Sequence, residues 1–300
     1  MFSIVEFGSS VRGSNDKHSD KDLLIVCSRS SHRVLRRRYE AYGYSVSTLT
    51  SGQLIAMQRR GSLFVQHLKN ESRILFDYQN CFQDWLNNCQ LVKPKIGEVK
   101  ICAESIVFFS SWPSDPRLDR WKADVLYCMT RDFLIKSLAM RAKLVFGIED
   151  IEHALQEIKV FPRFDVDSLR KFREIKSAYR AGNVQPTISY ESIDYDVSSI
   201  VDGLGLSQGK KEFGSMESFL TNLSARQFNS VYEKLRSLEA AYLIARSNGM
   251  YHPAHMSLMK FIKSPNAYGS SQIRSQNKLG GYMDDILAIL ANKAMHATSA

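Results

Sequence analysis

The alternation of apolar and polar positions divides this chain into two unlike parts. In the first third, short apolar runs alternate with amphipathic stretches. Phe2 to Phe7 and Leu23 to Cys27 have strand length, and Tyr44 to Leu49 is β-branched and aromatic. Ser31 to Tyr42 repeats at helical spacing and meets Gly43, a helix stop. Thr50-Ser51 offers a cap for a helix starting near Gly52. Leu63 to Lys69 reads as a further helix, Arg73 to Phe76 as a short strand, and Cys81 to Gln90 as helix again. This order predicts a small mixed sheet with helices against one face.

The remainder reads as helix throughout. VKPKIGE, over residues 92–98, breaks the pattern and sets a boundary between a first domain, 1–92, and a second, 93–300. Residues 99–110 suit a helix or a buried connector. Trp112-Pro113-Ser114-Asp115-Pro116 is a firm break. Arg117 to Phe146 then predicts one long helix, with apolar steps through Trp121, Val125, Met129 and Phe133, stopped by Gly147. Glu149 to Lys159 and Ser168 to Arg180 predict two more. Residues 183–215 mix Pro, Gly, Ser and isolated hydrophobics, and read as a long loop. Helix resumes from Met216 to Ser247, from Ala254 to Lys263 and from Tyr282 to Ala294, with a polar loop over 264–278. The fold class is α+β: a small mixed sheet followed by an all-α bundle.

Composition narrows the setting. The chain has 300 residues, enough for two cores, and an ordinary apolar fraction of 44%. No run approaches the roughly 18–20 apolar residues of a membrane span, so no membrane partner is expected. MFSIVEFGSS lacks the basic start of a signal peptide. The five cysteines are scattered, with no Cys-x-x-Cys, and read as reduced thiols of a cytoplasmic protein. The net charge of +9 favours polyanionic partners. Basic residues gather at Arg33, Arg36, Arg37 and Arg38, at Arg59 and Arg60, and at Arg170, Lys171, Arg173, Lys176 and Arg180. Each cluster alone suits a solvated face; together they suit an RNA substrate.

The chemistry concentrates between Phe7 and Val26, FGSSVRGSNDKHSDKDLLIV. Gly8 lets the backbone approach a phosphate closely, and the Ser9 and Ser10 hydroxyls donate to phosphate oxygens. Arg12 adds a forked donor set. Asp20 and Asp22, two residues apart on a strand, aim their carboxylates at one face. Two carboxylates so close call for a cation between them, and Mg²⁺ or Mn²⁺ takes carboxylates together with substrate phosphates.

Gly8-Ser9, a ten-residue gap, Asp20-x-Asp22 and an apolar strand resemble the polymerase-β-like nucleotidyltransferase superfamily, above all its minimal bacterial branch. A second block, GSLFVQHLK from Gly61 to Lys69 followed by Arg73 to Asp77, supports the resemblance, which covers about the first third of the chain. It implies a nucleotidyltransferase domain whose cleft a helical domain completes. It also implies a nucleoside triphosphate substrate, with ATP the expected nucleotide, and transfer of a nucleoside monophosphate to a hydroxyl on protein, RNA or a small molecule. Active members add a third carboxylate on a later strand. Here that strand reads Tyr44-Ser45-Val46-Ser47-Thr48-Leu49 and has none, so Ser45 or Ser47 stands in its place. Asp77, at the end of a further strand, and Glu40, on the preceding helix, are substitutes in principle, though family position argues against both. A binding module without turnover is therefore the alternative.

His67 reads as a core histidine or a support to the site, and His18 as a loop residue. Tyr127, Arg131 and Lys136 share a helix and suit a base and phosphates. Arg246 and His252 resemble the Arg-x(4–6)-His motif of HEPN-type RNases in defence or toxin–antitoxin systems, although Gly249 lies inside the motif. The oligomeric state is not encoded in any of these patterns.

Overall fold

The structure is a computed structural model. It describes residues 2–12, 21–90, 92–180, 193–207, 216, 219–220, 223, 226–253, 255–256 and 280–290, with Arg12 by its backbone alone.

Four strands form one mixed sheet: β1 (Ser3–Phe7), β2 (Lys21–Val26), β3 (Tyr44–Leu49) and β4 (Ser72–Asp77), in the order β3-β2-β1-β4. β1 runs antiparallel to β2 and β4, and β2 pairs parallel with β3. Helices connect them: α1 (Ser9–Arg12), α2 (His32–Glu40), α3 (Ser51–Arg59), α4 (Leu63–Asn70) and, after β4, α5 (Cys81–Asn87).

Helices cover both faces of this sheet, where the pattern predicted one. Val5, Phe7, Leu24 and Val26 pack with Leu54 of α3, Leu68 of α4 and Phe82 and Leu86 of α5. Ile4, Leu23, Ile25 and Val46 form the other face, against Leu35 and Tyr39 of α2. The unbroken run Leu23-Leu24-Ile25-Val26 follows from this burial, since a strand covered on both sides has no polar alternation. Burying these side chains stabilises the sheet by about 1.5–3 kcal/mol each.

Local signals act where the sequence placed them. Thr50 caps α3 in a reciprocal box with Gln53: its hydroxyl accepts from the Gln53 N–H, and Gln53 accepts from the Thr50 N–H. Gly61 has φ +69°, and a Cβ there would stand 2.9 Å from Val92 Cγ1. Gln66 holds the same segment by donating to the carbonyls of Gly61 and Val92. The Gly61 block thus fastens the end of α4 to residue 92.

The helical part comprises α6 (Ile96–Ser110), α7 (Asp119–Ala139), α8 (Ile148–Ile158), α9 (Val166–Arg180), α10 (Asp194–Gly203) and α11 (Val231–Ser247), and residues 280–290 are also helical. By compactness, Met1–Val99 with Leu134–Ile158 make one unit, and Lys100–Phe133 with Lys159–Ala300 the other. The boundary at residue 92 stays our proposal for where the first domain ends.

Three elements depart from the pattern. α7 stops at Ala139, short of Phe146, because the chain turns back through Ala142 at φ +62° while the Lys143 N–H bonds to the Leu138 carbonyl. No Gly or Pro marks that stop. α10 lies inside the stretch read as loop, and buries Val197, Ile200 and Val201 at helical spacing. The stretch from Met216 is helical at Met216, Phe219 and Leu220 but not over residues 226–230, and α11 begins only at Val231, where the Ser230 hydroxyl accepts the Glu233 N–H as its cap. The helix expected from Ala254 to Lys263, the loop over 264–278 and the end of the helix to Ala294 fall largely outside the described residues.

Candidate active site

The site lies at the end of β1. Phe7 is the last residue of that strand, and Gly8 follows at φ +82°, a conformation that costs a residue with a Cβ roughly 1–2 kcal/mol. The Gly8 N–H bonds to the Glu71 carbonyl at 3.0 Å, and the Val11 N–H to the Gly8 carbonyl at 3.1 Å. These bonds fix the turn into α1. The Gly8 N–H is thereby committed to the fold, while the opening N–H groups of α1 have no helical partners behind them. The Ser10 hydroxyl donates to the Phe7 carbonyl at 3.3 Å, which ties it to the turn. Ser9 is half-buried at the first position of α1.

Asp22 is on β2 itself, which begins two residues earlier than the apolar run suggested. Its Cα pairs with Phe7 on one side and Ser45 on the other. The carboxylate turns toward the glycine: Oδ2 would be 3.5 Å from a Cβ on residue 8. A side chain at position 8 would fill the space between carboxylate and turn. Asp20 and the Arg12 side chain lie outside the described residues, as does His18.

His67 backs this turn. Its Cε1 is 3.9 Å from the same Cβ position on Gly8. The ring stacks on Phe146 at 4.2 Å, meets Phe7 edge-on, and Nε2 pairs with Glu71 at 3.0 Å. Glu71 thus holds His67 with its side chain and Gly8 with its carbonyl. Sequence reasoning missed the parts of Glu71 and Phe146. Only the Glu71–His67 spacing, four residues on a helix, hinted at one of them.

The register settles which residue stands where a third carboxylate would be. Ser45 is the β3 partner of Asp22 and shares its face, while Ser47 pairs with Leu24 farther along. Asp77 is at the opposite end of the sheet, opposite Ser3. It accepts from the Ser3 hydroxyl at 2.8 Å and from the Phe82 and Gln83 N–H groups, so it caps α5. Glu40 ends α2, which packs on the other face from Asp22. Neither carboxylate reaches Asp22.

A divalent cation fits the donor set. The Asp22 carboxylate faces the Gly8 turn, and Mg²⁺ needs only one or two carboxylates when phosphates complete its shell. Among the described residues no group of three or more His, Cys, Asp or Glu gathers as a metal cluster.

Tyr127 is buried, with the Lys176 ammonium 4.8 Å above its ring, so that face is already covered. Arg131 and Lys136 are half-buried on α7. Arg246 is exposed near the end of α11, and Gly249 turns the chain at φ +76°. His252 is buried against Tyr282, and its Nε2 is 3.2 Å from Asp285. No described helix is long and apolar enough to cross a membrane.

Residues 2–75 match the family model described as a nucleotidyltransferase domain. No curated protein and no solved structure matched the chain. The family match begins on β1 and ends inside β4, so it takes in every strand of the sheet, and residues 2–75 are those of a nucleotidyltransferase domain, in line with the resemblance to the polymerase-β-like superfamily.

Proposed function

We propose that the first domain binds a nucleoside triphosphate, ATP by expectation, and transfers its nucleoside monophosphate to a hydroxyl acceptor. The observation that carries this reading is the Asp22 carboxylate facing the Gly8 turn. Gly8 gives the triphosphate room, and Ser9, with Ser10 and Arg12 beside it, donates to its oxygens. Asp22, with Asp20 two residues before it, holds Mg²⁺ or Mn²⁺. Held there, the ion would neutralise charge on the phosphates and polarise the phosphoryl group. The acceptor oxygen forms a bond to the α-phosphorus, the bond from that phosphorus to the bridging oxygen breaks, and pyrophosphate leaves. The acceptor proton passes to solvent, since Ser45 offers no base beside Asp22. His67 and Glu71 keep the turn in place.

Incubation with α-labelled triphosphates and Mg²⁺ or Mn²⁺ tests this. Label should appear on the chain itself or on an added RNA, protein or small hydroxyl acceptor. Asp22→Asn should lower transfer at least about 100-fold. Label transfer unchanged in Asp22→Asn would overturn the reading.

One observation favours a second reading, in which the triphosphate binds without turnover: Ser45 occupies the register position beside Asp22. Under it, wild type retains labelled triphosphate and transfers none, and Ser45→Asp gains transfer.

A further inference from the structure

We propose that the outward face of α2 is a binding surface for single-stranded polynucleotide, with Arg33, Arg37 and Arg38 on its phosphates and Tyr42 stacked on a base.

α2 has a plain division of labour. Leu35 and Tyr39 pack against the sheet, and Arg36 donates to the Thr48 hydroxyl at 3.2 Å, which pins the helix to β3. Arg33, Arg37 and Arg38 lie on the other side and are exposed. Arg33 and Arg37 are one turn apart, as are Val34 and Arg38, so the four make one continuous strip. Among the described residues, these three guanidinium groups have no carboxylate partner. The helix carries a single acid, Glu40, at its end. Unneutralised cations at this density are costly to one another and suit a polyanion.

The apolar side chains of this strip give the preference for nucleic acid over an acidic protein. Tyr42 is 68% exposed and Val34 likewise 68%, on either side of Arg38 at helical steps. Tyr42 is held rather than loose: Tyr39 meets both Tyr42 and Tyr44 edge-on at 6.4 and 6.3 Å. A fixed, exposed ring beside unpaired arginines is the pairing that binds single strands, with bases on the ring and phosphates on the cations. The rise from Arg33 to Arg38 is about 7.5 Å, which spans two to three phosphates of a stacked strand at about 3.4 Å each. Tyr44 pairs with Lys21 in the sheet, next to the Asp22–Ser45 pair, so the tyrosine end of the surface is at the Asp22 end of the sheet.

The proposal goes beyond the transfer reading and does not need turnover. The test is fluorescence anisotropy on the full chain with labelled oligonucleotides of about 12 nucleotides, RNA and DNA in separate arms, titrated across salt concentration. Arg33→Ala/Arg37→Ala/Arg38→Ala should weaken binding at least tenfold and make the slope of log K against log salt shallower by about two, at about 0.7 per lost single-strand contact. Tyr42→Ala should weaken it about tenfold while Tyr42→Phe retains it. Arg33→Lys/Arg37→Lys/Arg38→Lys should retain most of the affinity. Asp22→Asn should bind the strand as wild type does, which separates this result from the fate of the transfer reading. Wild-type affinity in the triple alanine variant would overturn the proposal. So would equal affinity for polyglutamate, which would assign the face to an acidic protein partner.

Discussion

Helix α2 carries Arg33, Arg36, Arg37 and Arg38; helix α9 carries Arg170, Lys171, Arg173, Lys176 and Arg180. By sequence, both are basic helices at comparable spacing. Their neighbours differ. On α9, Arg170 pairs with Asp167 at 2.8 Å and Lys171 with Asp196 at 2.5 Å. Lys176 sits over the Tyr127 ring, and Arg180 pairs with Asp124 at 2.9 Å. Asp124 is wholly buried and also binds Arg236 at 2.6 Å; Arg236 reaches Glu239 at 3.0 Å, and the Tyr179 hydroxyl donates to Glu239. Arg170, Lys171, Lys176 and Arg180 therefore end on carboxylates and a ring from α7 and α10 or on their own helix. Among the described residues, only Arg36 of the α2 arginines has a partner, a hydroxyl. Charge count alone does not mark a binding surface; the supply of carboxylates nearby decides it.

The comparison breaks most visibly at the centre of the α9 network. Arg236→Met should leave Asp124 and Glu239 without their buried counter-charge and destabilise the protein by about 3–5 kcal/mol in urea unfolding. Arg180→Ala, which removes a half-exposed partner of the same Asp124, should cost about 1–2 kcal/mol and leave oligonucleotide affinity unchanged. A loss of affinity equal to that of the α2 variants would erase the contrast between the helices.

Lys176 sharpens it through pH. Burial is the largest cause that lowers its pKa from the ordinary 10.5, with Arg180 and Arg131 acting in the same direction against Cys128 and Asp124. A depressed lysine penalises the folded state while it is protonated, and the penalty lifts as pH rises through the lowered value toward 10.5. Wild type should therefore gain stability relative to Lys176→Met over that interval, as read by thermal unfolding across alkaline buffers. A constant difference between the two would remove the buried-amine account. The smallest expected effect is on α2: Arg33→Ala/Arg37→Ala/Arg38→Ala should stay within about 0.5 kcal/mol of wild type, because these side chains hold no fold contact.

Much of the first domain was legible. β3 runs from Tyr44 to Leu49 as its composition implied, and the Thr50 cap starts α3. The turn at Gly8 was legible because glycine adopts φ +82° cheaply, and the face of Asp22 because a strand of period two fixes it. The stop of α7 was not legible, because Ala142 carries the left-handed turn without a glycine to announce it. α10 was hidden because its apolar residues, Val197, Ile200 and Val201, are set among acids and serines that resemble a loop.

The amino-acid sequence by itself determined the order of the sheet's elements, the glycine turn and the spacing of the aspartates, since backbone sterics and side-chain periodicity act over a few residues. Only the tertiary structure decided that Ser45 stands beside Asp22 while Asp77 caps a helix at the far end of the sheet. It alone also decided that Arg170, Lys171 and Arg180 of α9 meet carboxylates while Arg33, Arg37 and Arg38 of α2 meet none among the described residues, because pairing depends on neighbours that the chain brings together from distant positions.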